Sequence, residues 1–226
     1  MLSSPAIEDS VARHAGRSDV GAARARLRSA TADTHERLHR HPAFSGLLRG
    51  SLTMSQYSRL LGRLYGFHRP LECSLRMVPV IMRNRIDLPA REKAHLLHAD
   101  LIAVGLGLSA INALPTCNAL PEIRSPGALV GCLYVIEGSG LGGSILAKKL
   151  DFLLGTEGAC RRRFFLGRTS PDPLPWGVFC GLLEACADDG NLNDLIEGAR
   201  DTFDTLVLWL NEGGDDVSSR CHSRPS

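Results

Sequence analysis

The segment Gly131–Leu150, GCLYVIEGSGLGGSILAKKL, decides how the rest of the chain is read. Both of its flanks carry helical periodicity. Upstream, Ala128, Leu129, Cys132, Leu133 and Ile136 recur at helical spacing, and downstream Ile145, Leu146 and Leu150 do the same. Ser125 followed by Pro126 supplies an N-cap and a proline at the first helical position. Yet the middle holds Gly138, Gly140, Gly142 and Gly143. A glycine in a helix interior costs about 1 kcal/mol relative to alanine, so four cost roughly 4 kcal/mol, a large share of a domain's net stability. Some compensating contact is implied. Gly138 and Gly142, at i and i+4, share one face, where a flat or bulky partner could lie against bare backbone. Spacing alone leaves a ligand-facing kinked helix and a tight helix–helix contact both open. Gly138, Gly140 and Gly143 fit G-x-G-x-x-G, but no strand pattern precedes them, so a phosphate loop is not implied.

Working outward, no alternating β pattern is evident and the chain reads as all-α, a single domain of seven or eight helices. Residues 1–20 are small, polar and mixed in charge and read as a flexible arm; the domain proper spans 21–212, and 213–226 is a polar tail after Gly213-Gly214. The first helix is expected from Gly21 to Arg40, with Leu27, Ala30, Thr34 and Leu38 as its stripe and His41-Pro42 as its end. Thr53-Met54-Ser55-Gln56 is a capping box opening a helix with Tyr57, Leu60, Leu61, Leu64, Phe67 and Leu71 on one face and a kink at Pro70. A helix follows from about Ala90 to Val104, then a long connection over 105–124 with one helical turn. After the glycine helix, which ends near Leu154 with Gly155 as cap, come a short helix through Phe165, a turn over Ser170–Leu174, a helix closed by Gly190, and a long amphipathic helix carrying Leu195, Ala199, Phe203, Leu206 and Leu210.

Composition narrows the function classes. Hydrophobic content of 44% and charged content of 22% are ordinary for a soluble globular protein. A net charge of +2 gives no sign of a nucleic-acid partner. No apolar run approaches the length of a membrane span, and MLSSPAIEDS lacks a secretory pattern, so a cytoplasmic location is expected. Seven cysteines show neither a CxxC pair nor zinc spacing; Cys73, Cys132, Cys180 and Cys186 lie in apolar runs and read as small core residues. His95, His98 and Asp100, Arg59, Arg63 and Arg69, and the triplet Arg161–Arg163 read as solvated faces. His35 edges the first stripe, one turn after Thr31 and two after Arg28, so Arg28 and His35 share a face. Most such histidines bind nothing, although imidazole is the commonest metal ligand.

Two segments resemble the haem oxygenase family. LRSATADTHERL, Leu27–Leu38, is similar to the family's first haem-facing helix, L-[KR]-x-A-T-x-x-x-H, and His35 falls on the proximal iron ligand. EGSGLGGSIL, Glu137–Leu146, resembles the distal helix, whose glycines let backbone lie against the porphyrin. The wording YVIEGS…LGG is closest to the bacterial branch that includes oxygenases associated with bacteriophytochromes. The resemblance implies a helical bundle with haem between the first helix and the glycine helix. Haem is then both cofactor and substrate, opened at a meso carbon with O2 and electrons from an external donor such as ferredoxin or a flavoprotein, to give biliverdin, CO and iron. His35 is implied as iron ligand. Arg28 pairs a propionate; Thr31, Gly138, Gly142, Gly143 and Phe203 line the haem; Gly138 and Gly142 keep the distal side open. A bilin-accepting bacteriophytochrome is an implied partner. This sequence departs from the common pattern in having Ser139 where many members place aspartate, a neutral hydroxyl implied to order distal water. His39 stands at the i+4 position where some members have glutamate, and Leu133 at a distal tyrosine position, with Tyr134 pointing elsewhere. Two rivals stand beside this reading: a non-enzymatic haem carrier or sensor on the same fold, and a thiaminase-like helical hydrolase, which would need a nucleophilic cysteine beside paired carboxylates.

Overall fold

The computed structural model describes residues 21–83, 86–167 and 176–212; of residues 139–142 and 144 it describes the backbone alone. The arm over 1–20, the turn over 170–174 and the tail over 213–226 fall outside the described residues. Among those described there is no strand. The elements are α1 (Ala22–Ala30), α2 (Ala32–Arg40), α3 (Pro42–Arg49), α4 (Met54–Met77), α5 (Ala94–Ala103), α6 (Leu108–Asn112), α7 (Pro126–Lys149), α8 (Asp151–Leu154), α9 (Arg163–Leu166), α10 (Trp176–Cys186) and α11 (Leu192–Glu212), joined in places by short 3₁₀ turns. The number exceeds the expected seven or eight for two reasons. The eight-residue α3, and α8, which parts from the end of the glycine helix, have too few turns to show a period of their own in sequence. The first helix also divides at Thr31, whose ψ of 3° leaves the α region.

Local signals explain most boundaries. Both arms of the capping box are made: the Thr53 hydroxyl accepts from Gln56 N at 3.3 Å, and Thr53 N donates to the Gln56 carboxamide at 2.9 Å. The Ser125 hydroxyl accepts from Ala128 N at 3.1 Å and starts α7. Gly155, at φ 72°, closes the α7–α8 run. Pro70 lies inside α4 without ending it. Proline has no N–H to give the Gly66 carbonyl four residues back, and Cys117 N supplies that bond at 2.9 Å from the connection after α6. A Cβ at Gly66 would lie 2.3 Å from the Pro115 carbonyl, so that close approach requires glycine.

The core is built on α4, α7 and α11, with Tyr57, Phe67, Leu129, Leu133 and Phe179 among its fully buried side chains. Several residues read as solvated are instead buried or half-buried. Arg63 stacks on Trp209, its guanidinium carbon 3.3 Å from the ring centroid, while Trp209 Nε1 donates to the Arg63 carbonyl at 2.7 Å. Asp100 and Arg162 are also interior. Cys132 and Cys186 are core residues as expected, but Cys73 is exposed.

Candidate functional site

The glycine helix α7 uses its glycines in two different ways. At its N-terminal end it lies against α11 almost backbone to backbone: a Cβ on Gly131 would sit 2.1 Å from the Leu195 carbonyl, and one on Gly198 2.5 Å from that of Ala128. Near its C-terminal end, a Cβ on Gly143 would sit 2.5 Å from the Phe165 carbonyl, so that glycine's bare edge is filled by α9. Gly138 differs. A Cβ there would meet no atom within 4 Å. The backbone stays helical through all four central glycines. At Gly138, therefore, a side chain would have room, whereas at Gly131 and Gly143 the backbone of a neighbouring helix fills that space.

Those ends are fastened by buried polar groups. Asp100, fully buried on α5, accepts from Arg163 N and Phe164 N, each at 2.9 Å, and so caps α9 against α7. Burial pushes its carboxyl up to about 6, against the opposing pull of those two N–H bonds. Arg162 donates to the Ala147 carbonyl and to Asp151 at 2.5 Å each. On the other flank, Arg91 pairs with Glu137 at 3.0 Å and Lys93 Nζ donates to the Ile136 carbonyl at 2.6 Å. Glu72 of α4 takes Lys93 N and Ala94 N at 2.7 and 3.0 Å and caps α5. His68 lies 3.7 Å from Glu72 in the same buried cluster. Burial lowers the pKa of both His68 and Lys93. None of these partners was legible at the sequence level; the available signal was an ionic pair, His68 and Glu72 at i and i+4, set among apolar neighbours.

The segment carrying His35 is fastened separately. Glu184 of α10 accepts from Ala23 N and Arg24 N at 3.0 and 3.1 Å and caps the start of α1. Arg200 of α11 donates to the Ala30 carbonyl at 2.9 Å, where α1 gives way to α2. Arg37 pairs with Asp204 further along. Thus α1–α2 and α7 both pack on α11. Phe203 of α11, buried, presents its edge to His35 at 6.1 Å and a 90° interplanar angle.

His35 itself is exposed in mid-helix, with its Nε2 3.3 Å from that of His39. Partial burial first, then the neighbouring His39 and Arg28, lower its pKa, with Glu36 opposing. The shift favours the neutral ring, the form that ligates metals. Among the described residues Arg28 has no acidic partner, and its side chain is exposed. Thr31 is buried, its hydroxyl donating to the Leu27 carbonyl at 2.9 Å. Tyr134 corrects the sequence expectation. It does not point away from the His35 segment: burial raises the pKa of its phenol, and Thr31, Arg28 and Arg24 lie close enough to oppose that rise. Gly138 follows Tyr134 by four residues on the same face of α7. Leu133, by contrast, is wholly buried. The structure thus gathers Arg28, Thr31, His35 and Phe203 with Tyr134 of the glycine helix. The side chain of Ser139 and the α-carbon face of Gly142 fall outside the described residues.

A sequence model of the family described as heme oxygenase matches residues 22–212. No curated protein matches the chain by sequence. Among solved structures, that of heme oxygenase-1 from the cyanobacterium Synechocystis sp. PCC6803 in complex with heme superposes with a TM-score of 0.61 at 18% identity, over 84% of this chain and 91% of that one.

Proposed function

The chain belongs to the haem oxygenase family, and from that premise we propose that it binds haem between His35 and the open face of α7 at Gly138 and cleaves it oxidatively to biliverdin, CO and iron. The observation that carries the reading is the presence of an exposed imidazole at His35, its charged form disfavoured, together with a position on the glycine helix, Gly138, where a Cβ would meet nothing. The neighbour of similar fold was solved as a haem complex.

The residues present fit the group. His35 would hold the iron, Arg28 a propionate, and Phe203 and Thr31 the proximal surround. Gly138, with Gly142 in the same role, would keep the distal side free of side chains. The haem, when bound, supplies the iron at which O2 is reduced and the porphyrin carbon that is oxidised. The chain's own part is to present one neutral nitrogen, to exclude a second protein ligand, and to place protons. Ser139 is proposed to hold water by its hydroxyl on the distal side, donating one proton and accepting another. Electrons would come from an external ferredoxin or flavoprotein, and a bilin-accepting bacteriophytochrome is the proposed recipient of product. Among the described residues no helix is long and apolar enough to cross a membrane, in keeping with a proposed cytoplasmic site of action.

Cys132 and Cys186 do not suit the nucleophile that the hydrolase reading needs. Burial pushes the Cys132 thiol up to about 12 and the Cys186 thiol up to about 11, so neither is a ready thiolate nucleophile at neutral pH. A non-enzymatic haem carrier uses the same proximal geometry. Addition of haemin to the purified chain, followed by reductant and O2, separates the two. Growth of a bilin spectrum as the Soret band decays supports the oxygenase; a Soret band that persists through repeated reduction and aeration favours the carrier.

A further inference from the structure

His35 and His39 lie at i and i+4 on the exposed face of α2, with their Nε2 atoms 3.3 Å apart and ring centroids 4.4 Å apart. Zinc–imidazole bonds are about 2.0–2.1 Å long, so two nitrogens on neighbouring corners of a tetrahedral ion are about 3.3–3.4 Å apart; a right-angled site at the same bond length would bring them to about 2.9 Å. The separation of the pair equals the bite of a tetrahedral ion. The nearby carboxylates are engaged elsewhere, and Arg28, close enough to act on His35, opposes a cation there, so the two imidazoles must supply the binding. Glu36 is engaged by Arg40 at 3.0 Å, and Asp204 by Arg37. Neither ring is enclosed, so water can complete the coordination. The same distance also suits a hydrogen bond between two neutral imidazoles, which is the alternative the test must separate.

We propose that His35 and His39 form a two-histidine site for a tetrahedral divalent ion of the Zn2+ type, and that this ion and haem compete for the His35 ring. The second half rests on the reading of His35 as the haem ligand; the first half does not. An ion bridging the two nitrogens ties up the one imidazole that iron needs, so free Zn2+ would keep the site closed until haem is in excess. Hard ions such as Mg2+ and Ca2+ prefer oxygen donors and should have no effect.

The test uses the full chain without haem, and Co2+ as a coloured substitute for Zn2+. Wild type should bind one equivalent with the intense visible bands of tetrahedral Co2+, displaced by Zn2+. Because the second ring acts as an intramolecular donor, His39→Ala and His35→Ala should each lose about a hundredfold in Zn2+ affinity, read by competition with a chromophoric chelator. His95→Ala, an exposed histidine on α5, should not change it. Equal affinity in wild type and His39→Ala, or only the faint spectrum of six-coordinate Co2+, overturns the site. Zn2+ should then raise the haemin concentration needed for half-saturation in wild type and leave it unchanged in His39→Ala. Co2+ binding without haemin binding would overturn the haem reading while the ion site stands; haemin binding indifferent to Zn2+ would overturn the competition.

Discussion

Replacing Gly138 by alanine should make the haem-free protein more stable and the haem complex weaker. Gly138 lies inside a 24-residue helix, where alanine is favoured over glycine by about 1 kcal/mol. The new methyl would meet no atom within 4 Å, so no packing cost offsets that gain. For a chain of this length, 1 kcal/mol corresponds to a rise in Tm of roughly 2–4 °C. If the porphyrin lies on that face, the methyl intrudes where the ring should pack. Overfilling of this kind costs on the order of 1–3 kcal/mol, and the central value corresponds to a loss of about thirtyfold in haem affinity. Gly143→Ala is the matched control. Its Cβ would fall 2.5 Å from the Phe165 carbonyl, so the haem-free protein should be destabilised despite the same propensity gain. Thermal melts by circular dichroism and haemin titrations at the Soret band read the two quantities separately. A lower melting temperature for Gly138→Ala would show that the face is packed after all. A raised melting temperature with unchanged haem affinity would show that the ring does not lie there.

Three other outcomes are expected. His35→Ala should abolish the imidazole-ligated spectrum and bilin formation, with added imidazole partly restoring the spectrum; the same loss from His41→Ala instead would move the ligand assignment. Ser139→Ala should retain haem and its proximal spectrum but form bilin modestly more slowly, and single-turnover decay identical to wild type across pH would remove Ser139 from proton delivery. Asp100→Asn should flatten the pH dependence of stability. The folded carboxyl, at about 6, holds a proton that the unfolded chain releases near pH 4, so native stability falls as pH rises through that window, by on the order of 3 kcal/mol. Denaturant titrations from pH 4 to 7 that show equal slopes in both proteins would contradict this.

The features legible in the sequence are those whose physics is local. The Thr53–Gln56 capping box, the Ser125-Pro126 start and the His41-Pro42 boundary each act within a few residues of chain, and each stands where expected; Gly155 stops the chain's helical run after α8, while the glycine helix itself ends at Lys149. The break at Thr31 was not legible, because Ala30 and Ala32 favour helix on both sides and the cause is tertiary: Arg200 takes the Ala30 carbonyl from outside the segment. The same holds for Asp100, Arg63 and Arg162. By composition each belongs on a wet face, and each is drawn at least partly inside because a partner distant in sequence meets it there: two N–H groups at the start of α9, the Trp209 ring, and the Ala147 carbonyl with Asp151.

The glycine helix shows why spacing could not by itself separate packing from ligand contact. Gly131, Gly138 and Gly143 are indistinguishable in sequence, yet a Cβ would strike backbone at the first and last and nothing at the middle one. The two packed glycines also make the open one tolerable. Close backbone contact with α11 and α9, together with Arg162 at the Ala147 carbonyl and Lys93 at the Ile136 carbonyl, holds both sides of the helix in place. A bare strip between them then needs no packing of its own to stay helical. Loss of either brace should therefore loosen the Gly138 face without touching it. Lys93→Met, which keeps the stem and removes the donor at the Ile136 carbonyl, should increase amide exchange around Gly138 and lower haem affinity together. If exchange there is unchanged while affinity falls, Lys93 acts on the ligand directly and not through the helix.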